Sequence, residues 1–323
     1  MNHRTFGRLG WNVSEIGYGM WGLAAWKDSN DDDTRGALDE AVRLGYNFFD
    51  TAWAYGAGRS ETFLGELVRA HPDTRLYTAT KIPPKNLTWP SRSDFRLDDV
   101  FPPDHIRRYA ESSLENLGLN SIDLLQFHVW EDGWTHDARW QRVIDDLKSE
   151  KLIAAAGISV NRWEPANGIE TLRTGLIDAV QVIYNVFDQS PEDELFPVCR
   201  ELGIAVIARV PFDEGSLTGT LTRHTTFADG DFRRMYFGPE NLGNTVDRVD
   251  ALHPLVPTDS SLPEMAMRFI LANQDVATVI PGMRRVAHVR ANDRASRLGG
   301  LEPALVEKLR AHRWDRVPAS WSG

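Results

Sequence analysis

Eight short runs of apolar and β-branched residues recur along the chain, and stretches of helical periodicity separate them; this alternation constrains the fold more than any other feature. The runs are the segment 16–19, NFFDT from Asn47, LYTATK from Leu76, IDLLQFH from Ile122, IAAAGIS from Ile153, DAVQVIYN from Asp178, IAVIARV from Ile204 and VATVIPG from Val276. Between them the spacing predicts helices over 34–44, 61–68, 104–117, 137–148, 165–174, 192–202, 262–272 and 286–298. Their starts carry Asp, Ser or Pro, and several stop at glycine, as where Gly45 follows Leu44 and Gly203 follows Leu202. Eight strand–helix pairs with right-handed crossovers predict an α/β fold closed as a (β/α)8 TIM barrel; a doubly wound sheet would use fewer strands and a switch point. A barrel uses about 250 residues or more as one domain, and no linker rich in Gly, Ser or Pro divides this chain. The expectation is one barrel domain over 1–323, with long loops 83–103 and 211–261 at the C-terminal face.

Charge and cysteine usage narrow the function classes. Lys plus Arg number 36 against 46 Asp plus Glu, a net charge of −10 that repels phosphate backbones and anionic lipid, so neither nucleic acid nor a membrane is expected as partner. Cys199 is the only cysteine, which excludes an intrachain disulfide and a cysteine-rich metal site. The N-terminus lacks the apolar run of a signal peptide, and no stretch reaches the eighteen or so apolar residues that span a bilayer. A cytoplasmic protein is expected.

One motif is refused. GYGMWG at 17–22 matches the glycine fingerprint of dinucleotide-binding βαβ units, but the helix that should receive a pyrophosphate starts behind Asp31, Asp32 and Asp33. Three carboxylates at that helix terminus would repel phosphate.

The chemistry-bearing residues sit at strand ends. Asp50 ends the run NFFDT with Tyr55 in the loop beyond it, Lys81 ends LYTATK and His128 ends IDLLQFH, where a barrel enzyme carries its catalytic groups. Taken singly, these residues read as a turn cap, a loop aromatic, a surface charge and a strand-end histidine; their order on neighbouring strand ends is what singles them out. A free tyrosine titrates near about pH 10 and donates a proton poorly at neutral pH unless a cation stabilises its phenolate. Lys81 supplies that cation in this reading, Asp50 holds it charged, and a neutral His128 orients a carbonyl oxygen beside the Tyr55 hydroxyl. Protonating a developing alkoxide completes a carbonyl reduction, and because no side chain delivers hydride, a nicotinamide cofactor is implied.

GYGMWG, DTAWAYG, TKI, QFHVW, GIS, VQVIYN and the closing VIPG before a basic helix together resemble the aldo-keto reductase superfamily over nearly the whole chain. The resemblance implies reduction of an aldehyde or ketone to an alcohol, with Tyr55 as proton donor, Asp50 and Lys81 as its activating pair and His128 as the orienting residue. It further implies cofactor contacts from Gly19, Met20, Trp21 and Asp50, and a carboxamide clamp from Ser159 and Gln181. Here Val160 separates Ser159 from Asn161, and Arg209 stands where many members stack an aromatic ring. Phe212, Gly215, Ser216 and Leu217 resemble the segment over the pyrophosphate. Gly282, Arg284, His288 and Asn292 resemble the adenosine site, and the basic cluster of Arg284, Arg285, His288 and Arg290 points to the 2′-phosphate of NADPH, with Arg284 the preferred ligand. NADH use stays open.

Eleven tryptophans are many for this length, and Trp21, Trp53, Trp89 and Trp130, with Trp26 and Trp134 nearby, fall on loops expected to wall an apolar substrate site. Two other readings stay open. One is a cofactor-binding regulatory protein resembling the channel-associated β subunits of the same superfamily. The other, a metal-dependent barrel hydrolase built on His128 and His136, lacks the further strand-end ligands a binuclear site needs, so no metal is expected.

Overall fold

Along each central strand the residues facing the barrel lumen pass from apolar to polar, and this gradient both builds the core and places the site. The structure, a computed structural model, describes residues 1–23 and 30–316; Trp26 lies outside them. Its strands are β1 (His3–Phe6), β2 (Trp11–Ser14), β3 (Tyr18–Gly19), β4 (Phe48–Asp50), β5 (Tyr77–Ile82), β6 (Ile122–Phe127), β7 (Ile153–Ser159), β8 (Ala179–Ile183), β9 (Ala205–Arg209) and β10 (Val276–Val279). β3 to β10 pair in parallel and in sequence order. Parallel bridges from Ile16 to Val279 and from Gly19 to Gly282 close the cylinder, with Gly17 N–H donating to Val279 O at 2.8 Å. The GYGMWG segment is thus a seam of the barrel rather than a phosphate loop.

The lumen below the site is filled by Phe48, Ala79, Leu124, Ala155, Ala179, Ala205 and Ile207. Two residues further along these strands stand Asp50, Lys81, Gln126, Gly157, Gln181 and Arg209, because side chains of one face recur with period two. The hairpin of β1 and β2 stoppers the opposite end. Phe6 stacks on Trp11 at 5.4 Å and meets Phe48 at 5.2 Å.

Most of the expected helices form, including Leu262–Ala272 and Val286–Leu298 with the boundaries predicted. The helix expected over 165–174 shrinks to Ile169–Leu172. Asp132, from the loop after β6, accepts from Gly168 N–H at 2.9 Å, Glu170 N–H at 3.0 Å and Thr171 N–H at 3.1 Å, and so caps the helix late. Further elements were not anticipated, among them the β1–β2 hairpin, the short helices Leu97–Val100 and Arg233–Tyr236 inside the two long loops, the helix Pro239–Asp250 inside the loop 211–261, and the helix Pro303–Arg310.

Helices Arg59–Ala70 and Pro103–Leu117 cross with no space between their backbones at Gly65, where a Cβ would stand 1.8 Å from Leu117 O. Gly65→Ala should therefore force the helices apart and lower the unfolding free energy by about 2 kcal/mol, a typical overpacking cost. Urea denaturation checks this; an unchanged midpoint would contradict the close approach.

Candidate active site

β4 and β5 bring Asp50 and Lys81 together at the top of the lumen. Lys81 Nζ, fully buried, donates to Asp50 Oδ2 at 2.5 Å and to Thr51 O at 2.7 Å. The chain turns directly after β4, Tyr55 N–H donating to Ala52 O at 3.0 Å, so the phenol ring hangs back over the strand ends. Lys81 Nζ lies 5.2 Å from the centre of that ring, and the His128 ring meets it edge-on at 5.7 Å.

Burial pushes the Tyr55 phenol above its ordinary value, and the nearby Lys81 pulls it down without overcoming that effect. This differs from the expectation that the lysine would dominate. Desolvation disfavours the phenolate, so Tyr55 is a protonated phenol across the neutral range. Burial, followed by the positive charges of Lys81 and Arg209, depresses His128 well below the usual histidine range. The imidazole is neutral at pH 7, and its Nδ1 is buried without a hydrogen-bond partner.

These groups open into a cavity of about 550 Å³ lined by Asp50, Tyr55, His128, Gln181 and Arg209. Its far wall is Gly19, Met20, Trp21, Phe212, Gly215 and Gly282. A second, smaller chamber of about 180 Å³ shares Tyr55, Trp89, His128 and Arg209 and reaches Ser159, Asn161 and Trp130. Trp21 and Phe232 meet edge-to-face at 5.1 Å across the mouth.

An extended nucleotide fits these walls. Gly215 and Gly282 present bare backbone with nothing within 4 Å of where a Cβ would stand, and the buried Arg209 Nε has no hydrogen-bond partner. Among the described residues there is no group of three or more His, Cys, Asp or Glu that could hold a metal.

Other sequence-predicted residues fall outside the cavity. Trp53 turns away, its indole donating to Ser112 Oγ at 3.1 Å and packing edge-on against Tyr109 at 4.7 Å. Trp130 reaches only the smaller chamber, held in an aromatic cluster with its indole donating to Thr171 Oγ1 at 2.8 Å. Ser216 and Leu217 face inward, because the backbone runs through positive φ at Asp213, Glu214 and Gly215 and turns the loop over. Arg284 and His288 are exposed beyond Gly282, Asn292 is buried in the helix Val286–Leu298, and none of the three lines the cavity. Arg290 is drawn off to Glu40 at 2.7 Å. His136 is 82 % exposed and hydrogen-bonded to Glu170 at 2.7 Å, far from the role of a metal ligand beside His128.

Several residues at the site had little or no sequence signal. Gln126 lies in the lumen beside Asp50, where a polar residue within an apolar strand was the only hint. Arg162, Asp213, Tyr236 and Arg316 form a buried polar cluster beside the cavity. They are widely separated along the chain, and no spacing rule links them.

The Aldo/keto reductase family profile matches residues 15–313. An NADH-specific methylglyoxal reductase of Escherichia coli is 30% identical over 295 residues, covering 87% of this chain and 89% of that protein. An NADP(+) aldo-keto reductase of Schizosaccharomyces pombe is 27% identical, covering 92% of this chain and 88% of its own. Among solved structures, an aldo-keto reductase of Bacillus halodurans in its holo form superposes with a TM-score of 0.78 at 25% identity over all of both chains. A glycerol dehydrogenase of Gluconobacter oxydans shares the fold, with a TM-score of 0.79 at 24% identity over 98% of each chain.

Proposed function

The chain belongs to the aldo/keto reductase family, as an oxidoreductase that uses NAD(P)H on carbonyl compounds, and we propose that it reduces an aldehyde or ketone with the proton drawn from Tyr55. The convergence of Tyr55, Asp50 and His128 on one cavity, with Lys81 buried behind it on the Asp50 carboxylate, carries this reading. A bound nicotinamide would supply hydride to the carbonyl carbon. Around it, Gln181 and Ser159 would hold the carboxamide, Arg209 would flank the ring, and the loop of Phe212 and Gly215 would cover the pyrophosphate. The neutral His128 donates to the carbonyl oxygen and sets it beside the Tyr55 hydroxyl. Tyr55 passes its proton to the oxygen as negative charge develops there, and Lys81, anchored by Asp50, stabilises the phenolate left behind. Trp21, Trp89 and Phe232 form the apolar wall that takes the body of the substrate.

NADPH is the proposed cofactor, because Arg284 and Arg285 follow Gly282, which lines the cavity, and carry the positive charge a 2′-phosphate needs. The reducing cytoplasm is the proposed compartment, consistent with the lone Cys199, whose thiol burial pushes up to about 12. Among the described residues no helix is long and apolar enough to cross a membrane.

Oxidation of NADPH and of NADH against a panel of aldehydes and ketones tests the reading. Turnover with NADPH preferred is the expected result, and Arg284→Ala should weaken NADPH binding about tenfold, the loss of one charge-assisted contact, while leaving NADH unchanged. Binding of nucleotide without turnover of any carbonyl would defeat the proposed activity. Equal effects of Arg284→Ala on both cofactors would defeat only the NADPH assignment.

A further inference from the structure

The smaller chamber meets the larger one at Tyr55 and His128, and Trp89, Arg209, Glu214 and Phe232 line both. It holds more hydrogen-bonding capacity than its own residues use. Arg162, with its side chain 6% exposed, donates through Nη1 to the Tyr236 hydroxyl, whereas its Nε and Nη2 make no hydrogen bond. Nη2 stands 3.6 Å from Asp213 Oδ1 and 3.9 Å from Glu214 Oε1, close enough for the charges to attract and too far for a hydrogen bond. Arg209 Nε is likewise buried without a partner. Opposite these donors, Glu214 enters the chamber from a backbone with φ at 55°, a left-handed conformation that strains any residue but glycine.

Buried N–H groups of this kind are costly unless something accepts from them, and an apolar substrate body would leave them stranded. An ionic substrate is no better served. The guanidinium groups of Arg162, Arg209 and Arg316 are matched by the carboxyl groups of Asp188, Asp213 and Glu214, so no charge is left over for a carboxylate or an ammonium to neutralise. A hydroxyl group both accepts and donates. Its oxygen, at about 2.8 Å from Arg162 Nη2 and from Glu214 Oε1, satisfies the two across their 3.9 Å separation. Trp89, Trp130 and Trp163 supply flat walls for the C–H faces of a carbon chain, and the chamber's 180 Å³ keeps that chain short.

We propose that Glu214 and Arg162 form a hydroxyl-binding subsite, which makes short hydroxylated carbonyl compounds the substrates: the carbonyl lies at Tyr55 and His128, and the adjoining hydroxyl groups enter the smaller chamber. The inference rests on the proposed reduction and names its substrate class. Glu214 accepts a hydroxyl hydrogen and Arg162 donates to a hydroxyl oxygen, while neither touches the hydride or the transferred proton. Both therefore determine specificity. Glu214 directly precedes Gly215, whose backbone faces the larger chamber, so one turn of the loop after β9 serves cofactor and substrate together.

Aldehydes of equal carbon count make the test specific. Erythrose and butanal share a chain length and differ in hydroxyl groups, and 4-oxobutanoate places a carboxylate at the far end of the same chain. With rates expressed per free aldehyde, kcat/KM for erythrose should exceed that for butanal and for 4-oxobutanoate about a hundredfold, at about tenfold for each buried hydrogen bond. Glu214→Met removes the acceptor and should lower the ratio of erythrose to butanal about tenfold, chiefly through the KM for erythrose. Glu214→Gln keeps one acceptor oxygen and should restore most of that ratio. Fluorescence titration of NADPH on the same variants separates a substrate role from a cofactor role. Preference of the unaltered protein for butanal or for 4-oxobutanoate would overturn the inference, as would a ratio that Glu214→Met leaves unmoved. An equal fall for erythrose and butanal, tracking weaker NADPH binding, would also overturn it and mark Glu214 as a residue of the cofactor site. The proposed reduction fails separately: full activity of Tyr55→Phe would remove it, whereas Tyr55-dependent reduction of butanal with no preference for erythrose would remove only the hydroxyl subsite.

Discussion

Tyr55→Phe should lower kcat about a thousandfold while leaving the dissociation constant for NADPH near its original value, since a positioned general acid contributes roughly 10²–10⁴ in rate. The substitution is clean in this structure. Phenylalanine keeps the ring that meets His128 edge-on at 5.7 Å and sits 5.2 Å from Lys81 Nζ, and it removes only the hydroxyl. Single-turnover oxidation of bound NADPH by a reactive aldehyde measures the step directly, and a rate within threefold of the unaltered enzyme, against the roughly 10² minimum for a general acid, would end Tyr55's role as donor. The pH dependence follows from the two ring groups. Tyr55 is active as the phenol, and burial raises its pKa, so the protonated form is lost only as pH climbs beyond the ordinary tyrosine range. His128 is active as the neutral imidazole, and its pKa is depressed, so that form is lost only as pH falls well below the ordinary histidine range. Activity should therefore be level between about pH 7 and pH 9, inside the unperturbed values of both groups.

What could be read from the residues follows the range of the forces involved. Asp50, Tyr55, Lys81 and His128 were visible because each is set by local structure: a run of β-branched residues ends, and the next polar side chain stands at the barrel mouth. Gln126 obeys the same rule, yet only its contact with Gln181, from another strand, gives it meaning. Trp53 shows the opposite error. Its place in the loop beyond β4 suggested the pocket, but the helix Pro103–Leu117 offers it Tyr109 and Ser112, and packing there outweighs exposure at the mouth. The pull of Lys81 on Tyr55 was legible in direction, whereas the opposing desolvation depends on how tightly the loops close and cannot be read from spacing. Phe232 lies in the loop 211–261, where no periodicity placed it, and its partner Trp21 comes from the other end of the chain.

The same limit hid the group on which the loop after β9 depends. Arg316, with its side chain 2% exposed, donates to Asp213 Oδ1 at 2.7 Å and to the Tyr236 hydroxyl, and its guanidinium lies 4.2 Å from the Trp314 ring. Asp213 is itself fully buried, accepts from Ser216 Oγ at 2.7 Å and lies 3.6 Å from Arg162. Burial pushes the Asp213 carboxyl up, but the Arg316 and Arg162 charges outweigh it and hold the pKa at about 2. The sign follows from that depression. The interaction stabilises the fold fully above the unfolded pKa of about 3.9, and the stabilisation is lost as pH falls from there through the folded value. Arg316→Met should cost about 3 kcal/mol at pH 7, because it strands a buried carboxylate with one guanidinium at a longer distance. It should also move the acid-unfolding midpoint upward, because the smaller stability at neutral pH is exhausted sooner on acidification, even though the part of the acid sensitivity that came from the depressed Asp213 carboxyl is lost. Weaker NADPH binding should accompany the loss, since Asp213 begins the turn that carries Gly215 to the cavity wall. Urea denaturation across pH 2–7 measures all but the last of these. Packing and charge separate in the double variant, because adding Asp213→Asn removes the stranded carboxylate and should restore part of the stability lost in Arg316→Met. Should the double variant instead lose the sum of the two single losses, the ion pair would not be what holds the loop, and the stacking of Arg316 on Trp314 would take its place.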